Sequence, residues 1–173
     1  MYFRAIAGIV AGLCSGVISG VMFLLMRVPG MDGMTYTVLT VVARAVGTND
    51  PSIGWSYHLI NTALLGAAFG LIVGKAVTRL VSAVGFGLVA SVLSWALANL
   101  ILLPQFRDVV TDFSEGPLGP FGLATLIGYI VQGVLLGVTF LWVYNPIAAA
   151  ESRRVKDARE RDVAEPIGAS RRK

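Results

Sequence analysis

The chain is poor in the residues that carry chemistry. Its 173 residues include one cysteine and one histidine, and only 14% are charged. A soluble domain carries about 25% charged residues. With 55% hydrophobic residues and a mean hydropathy of +0.75, this chain would expose more apolar surface than water tolerates. The lone Cys14 excludes an internal disulfide, and with no partner at ligand spacing it makes no metal site; its place in a glycine-rich run reads as small buried filler. G-x-S-x-G, H-E-x-x-H and the P-loop pattern are all missing, so the sequence offers no nucleophile, zinc or phosphate motif and is read as non-enzymatic. The formal charge of +4 does not point to nucleic acid. Eight of the 14 Lys and Arg follow Pro146 together with five acids, so the tail holds +3 of it.

What the chain does have is four long apolar runs, roughly residues 5–26, 53–77, 82–103 and 121–144. Each is long enough to cross a hydrocarbon core about 30 Å thick at about 1.5 Å per residue. The first run is preceded by Arg4, like a signal peptide, but it is longer than a signal h-region and no A-x-A site follows, so it is expected to stay. The fold class expected is all-α: an integral membrane four-helix bundle over residues 1–145, with a charged, partly helical cytoplasmic tail over 146–173. Arg4, Lys75, Arg79 and the basic tail fall on one side, which the positive-inside rule makes cytoplasmic, giving N-in and C-in; Arg27 and Arg44 are mild exceptions. Asp108, Asp112 and Glu115 face the other side.

Three runs carry small residues at every fourth position: Gly8, Gly12, Gly16 and Gly20; Gly66, Gly70 and Gly74; Ala83, Gly87 and Ser91. At about 3.6 residues per turn such spacing draws a nearly straight stripe along a helix, where a second backbone can approach closely. These residues are expected to be helix-packing surfaces. Between the first two runs, Pro29, Gly30 and Gly33 break the helix, and Met34, Val38, Val41, Val42 and Ala45 then recur at helical spacing. A short amphipathic helix over about 34–46 is expected on the outer surface, with Asp32 placed to cap it.

The sequence reads as an internal duplication at an offset of 71. Asn61 to Phe69 lines up with Gln132 to Phe140, matching two leucines, a glycine and a phenylalanine, while Gly16 meets Gly87, Gly20 meets Ser91 and His58 meets Tyr129. Two helical hairpins of like orientation follow, related by an axis along the membrane normal.

The polar inventory within the runs is short. His58, Asn61, Thr62, Asn99 and Gln132 are the candidate site residues, with Ser91, Ser94 and Thr125 beside them. Hydrogen-bonded glue between helices is the first reading of Asn61 and Gln132, and a substrate site the second. His58 reads first as an interfacial histidine beside Trp55 and Tyr57. Haem or chlorin ligation through its Nε2, with Met26 or Met34 opposite, is the distant alternative; otherwise no cofactor or metal is expected. In the tail, Arg153/Asp157, Lys156/Glu160 and Asp157/Arg161 have helical i,i+4 spacing, and Arg153, Arg154 and Lys156 are the candidates for lipid headgroups.

The glycine-rich first span, Pro29 with Met31-Asp32, Gly54-Trp55, His58-Leu59 leading into Gly66 and Gly70, then Trp95 and Pro104, together resemble a group of small four-span bacterial membrane proteins of the YagU-like type, over about residues 5–144. The resemblance implies a multi-pass protein of the bacterial cytoplasmic (inner) membrane and supplies no activity. Members often carry a second histidine in the last span where this chain has Tyr129, so no two-histidine site is implied. The function expected is a structural or accessory role, as a homo-oligomer or a small subunit of a larger membrane complex. Its partners would be the bilayer and other membrane subunits, with no nucleic acid. A passive channel or carrier for a small neutral solute is the alternative.

Overall fold

The computed structural model describes residues 2–30, 32–102 and 118–164, with side chains as far as residue 161. The chain is mostly helical. Helix α1 (Tyr2–Leu25) leads into a two-stranded antiparallel hairpin, β1 (Arg27–Pro29) with β2 (Thr35–Thr37), in which Val28 pairs with Tyr36. Helix α2 (Val38–Arg44) follows, then α3 (Pro51–Ile72), α4 (Leu80–Ala96) closing in a π-helical stretch Leu97–Leu102, and α5 (Pro120–Ala164).

Local sequence explains the boundaries. The Thr37 hydroxyl accepts from the amide of Thr40 and starts α2. Asp50 caps α3 by accepting from the Ser52 amide at 2.9 Å, with Pro51 filling the first turn where no amide is needed. The Ser82 hydroxyl accepts from the Arg79 amide at the head of α4. Gly33 and Gly47, both at positive φ, sit in the turns around β2 and α2.

Among the described residues, three helices are long and apolar enough to cross a membrane: Tyr2–Leu25, Leu80–Leu102 and Pro120–Arg161. The expected second span is the exception. Helix α3 stops at Ile72 rather than 77, and Ser56, Tyr57, His58, Asn61 and Thr62 dilute its apolar character. The amphipathic stretch also differs from expectation, because residues 35–37 pair as a strand and leave only 38–44 helical. Asp32 therefore does not cap α2. It accepts from the Met34 amide in the hairpin turn and from the Tyr36 hydroxyl, and it pairs with Arg44 at 3.5 Å. The tail is not separate from the last span: α5 runs through Pro146 without a break into its charged stretch. Proline removes one amide from the ladder, and the helix-forming residues Ala148, Ala149 and Ala150 follow directly.

Packing follows the small residues. α1 lies along α3 and along α5, α4 lies along α5, and α3 and α4 touch little. Where α1 meets α3, a Cβ on Gly8 would run into the carbonyl of Gly66, one on Gly12 into the carbonyl of Thr62, and one on Gly70 into the carbonyl of Arg4. Where α4 meets α5, Gly87 faces Gly133 and Gly137 faces Ala83 in the same way. Such approach permits Cα–H···O contacts between backbones, which matter where no hydrophobic effect drives helices together. The stripes end differently. Gly20 faces the rings of His58 and Trp55, and Gly74 lies past the end of α3 against Phe140. Gly54 performs the same service for α2, whose Leu39 carbonyl rests on it. Cys14 departs from expectation: it is exposed on the outer face of α1, beside Leu13 and Val17.

Two apolar clusters result, one at each end. At the α2 end, Phe23, Val28, Val38, Leu39, Val41, Trp95, Phe121 and Tyr129 pack together. At the opposite end, Ala7, Ala11, Phe69, Val77, Ala83, Leu136, Phe140 and Leu141 do so, with Phe69 edge-on to Phe140 at 5.3 Å. Between them, on the inward faces of the helices, lie the buried side chains of Ser15, Ser19, Thr62, Ser91 and Gln132.

Candidate functional site

A cavity of about 260 Å³ opens beneath α2. Val38, Val42, Ala45 and Val46 of α2 and the segment after it roof the cavity. Phe23, Phe121 and Tyr129 line it, together with Tyr57, His58 and Asn61 of α3, Thr125 of α5, and Ala98, Asn99 and Leu102 of the π-helical stretch. Among the described residues, no Asp, Glu, Lys or Arg lines it. Tyr57, Asn61, Val46 and Leu102 are themselves exposed, so the mouth lies between α3 and the end of α4, the two helices that touch least.

Two hydrogen-bond networks support its walls. In the first, His58 Nε2 lies 3.0 Å from the carbonyl oxygen of Gly16 and 3.1 Å from Ser19 Oγ, and Ser19 Oγ reaches Gln132 Oε1 at 3.4 Å. A carbonyl only accepts, so Nε2 carries the proton and Nδ1 holds the lone pair. The imidazole presents Cδ2 and Nε2 to α1, at Gly20 and Gly16, which turns its Nδ1 edge toward the cavity side; Phe23 packs edge-on to the ring at 5.2 Å. In the second network, Trp95 Nε1 donates to the carbonyl of Gly122 at 3.1 Å and to Thr125 Oγ1 at 3.2 Å. Thr125 lies 3.4 Å from Asn99 Oδ1, and Asn99 Nδ2 donates back to the carbonyl of Trp95 at 3.1 Å. The side chains of Ser94 and Asn61 are in hydrogen-bonding reach of the Tyr129 hydroxyl.

Of the five candidate polar residues, the structure brings three, His58, Asn61 and Asn99, to one cavity. Thr62 instead packs its side chain against Gly16, and Gln132 is sealed between helices with its Nε2 unpartnered, as is Ser91 Oγ. Ser15 and Ser19 were not singled out by their chemistry, although their spacing of four beside the Gly12, Gly16 and Gly20 stripe marks them as inward-facing. The Gly133 and Gly137 pair carried the same signal on α5, in too short a run to stand out.

The geometry bears on two chemistries. Ser19 and His58 meet as a serine protease pair would, but Nε2 is committed as a donor to Gly16 and cannot take the serine proton. The same bond occupies the nitrogen on which the distant haem or chlorin alternative relied. Met26 packs into the apolar cluster, and the exposed Met34 offers its sulfur to Tyr36. Outside the apolar helices, the Tyr36 hydroxyl and the Met34 amide hold the Asp32 carboxyl below its usual range, Arg44 adding to them, and Asp32 in turn pushes the Tyr36 phenol up. Arg44 also lies over the Tyr36 ring at 4.3 Å. Arg153, Arg154 and Lys156 are exposed, and of the expected tail pairs Lys156 and Glu160 approach to 3.9 Å.

Compared with protein families, with curated proteins and with solved structures, the chain matches none.

Proposed function

We propose that the chain is a non-enzymatic integral membrane protein with a structural or accessory role, acting as a homo-oligomer or as a small subunit of a larger membrane complex. The observation that carries this reading is α5. A single helix packs inside the molecule as far as Leu141 and then extends as a solvated, charged arm, with every side chain from Glu151 to Arg161 exposed. A rigid arm joined to a bundle without a hinge suits docking, and its mixed charges suit a polar partner surface.

The proposal includes four spans, with α3 as the second, arranged as two hairpins. Its support is the register of contacts: Gly12 and Gly16 face Gly66 and Thr62 in the first hairpin, and Ala83 and Gly87, at the offset of 71, face Gly137 and Gly133 in the second. The orientation proposed is N-in and C-in, in a bacterial cytoplasmic membrane, on the charge distribution and the YagU-like resemblance. A passive carrier is the second reading, favoured by the cavity. Against a continuous pore stands the backbone-to-backbone packing of the half remote from α2.

Crosslinking and mass spectrometry in native membranes test the accessory reading. Crosslinks from Lys156 to one defined partner, or to a second copy, are expected, and that partner should no longer copurify when the chain is cut after Ala150. A chain that stays monomeric and uncrosslinked but passes a neutral solute in liposomes would replace this reading with the carrier.

A further inference from the structure

We infer that the cavity beneath α2 is a binding site for a small uncharged amphiphile with a hydroxyl-bearing ring, of the phenol or hydroquinone class, reached sideways from the bilayer between α3 and α4. This goes beyond an accessory role and does not depend on it.

The lining selects the ligand. Among the described residues no charged side chain lines the wall, so an ionised head would lose its hydration without gaining a counter-charge from them, which favours a neutral ligand. Phe23, Tyr57, Phe121 and Tyr129 give aromatic faces and edges, and α2 supplies aliphatic ones, which together suit a ring with an apolar substituent. Other polar groups of the wall already have partners: Asn99 and Thr125 bond to each other and to Trp95 behind them. His58 differs. Its Nε2 proton goes to Gly16, and its Nδ1 lone pair has no hydrogen-bond partner among the described residues. A lone pair asks for a donor, and a phenolic hydroxyl is a strong one. Asn61, nearly three turns from the start of α3 and exposed at the mouth, can accept or donate beside it as well as reaching the Tyr129 hydroxyl. The volume, about 260 Å³, is below the range of about 300–1,000 Å³ typical of drug-sized ligands, which limits the occupant to one ring and a short tail or to the head of a longer lipid.

The test uses the full chain in phosphatidylethanolamine and phosphatidylglycerol nanodiscs, with empty nanodiscs as the blank for partitioning. The probes are 4-pentylphenol, pentylbenzene, which lacks the hydroxyl, and 4-pentylbenzoate, which is charged. Saturable binding of 4-pentylphenol above the blank is expected, with pentylbenzene weaker by about tenfold, the loss of roughly one hydrogen bond, and 4-pentylbenzoate at the blank. Val42→Trp, which fills the cavity from its roof, should abolish saturable binding, and His58→Phe should bring 4-pentylphenol down to the level of pentylbenzene. Should His58→Phe fail to fold, Val42→Trp together with the three-probe comparison on the wild-type chain decides the matter. Equal binding of phenol and hydrocarbon, wild-type binding by Val42→Trp, or no binding above the blank would each overturn the proposal.

Discussion

The carbonyl oxygen of Gly66 occupies the space that a Cβ on Gly8 would need, and the carbonyl of Gly8 does the same to Gly66. Neither backbone can retreat without separating α1 from α3. Gly66→Ala should therefore destabilise the protein by on the order of 1–3 kcal/mol through overpacking. Gly16→Ala should cost less, because the atoms it meets belong to the Thr62 side chain, which has other rotamers. Gly16→Leu and Gly66→Leu should both be severe. Thermal unfolding in mild detergent measures all four, and an unchanged midpoint in both leucine variants would refute the packing argument.

His58→Gln should be mild. A glutamine amide can still donate to the Gly16 carbonyl, so the loss should stay at about 1 kcal/mol or less, whereas His58→Leu removes both bonds of the ring, to Gly16 and to Ser19, and should cost about 1–3 kcal/mol. The wild-type protein should purify without visible absorbance. A Soret or chlorin band that copurifies and disappears in His58→Gln would make the protein a pigment or redox subunit.

Orientation is decided by labelling. In a Cys14→Ala background, Asp32→Cys should react with an impermeant thiol reagent in intact cells and Arg79→Cys only after lysis. The opposite pattern would invert the topology.

The hairpin turn should respond to acid. Asp32 has a folded pKa below its unfolded value of about 3.9. Its contribution is therefore present above that value and is lost as pH falls through the lower folded one. Tyr36 runs the other way. Its pKa is raised, so its contribution holds below about pH 10 and is lost as pH rises through the higher folded value. Protection of the Met34 amide, whose N–H bonds to Asp32, should fall on acidification in the wild type when exchange is referred to the intrinsic rate at each pH. In Asp32→Asn the protection should be lower at neutral pH and nearly insensitive to acid.

The helical class and most of its contact surfaces were legible in the sequence, because spacing-four glycines have one strong structural use in an apolar helix. Gly8, Gly12, Gly16, Gly66, Gly70 and Gly87 all lie at helix contacts, five of them with a carbonyl where a Cβ would stand. The hairpin at 27–37 was not legible. Its strands are three residues each, too short for alternation to emerge, and Val38, Val41 and Val42 just beyond lend the region a helical period. Cys14 was misplaced for a related reason: it neighbours the stripe in sequence but points away from it. The cavity itself could not be read, since its wall joins residues as distant in sequence as Phe23, His58, Asn99 and Tyr129, and only the crossing of four helices brings them together. His58 and Asn61 were visible as candidates, but which imidazole nitrogen faces the cavity depends on Gly16.

The π-helical stretch at Leu97–Leu102 sets the phase of the cavity wall. A π turn takes up one residue more than an α turn, so by its end the chain lags an uninterrupted α-helix by roughly 100° of rotation. Ala98, Asn99 and Leu102 line the cavity at the angles this lag gives them. Removing a single residue from the stretch would restore the α phase, and the wall would turn as a cog slips one tooth: Asn99 would swing off its bonds to Trp95 and Thr125, and a leucine would take its place. The polar character of that side of the cavity thus depends on one spare residue in the helix rather than on any side chain alone.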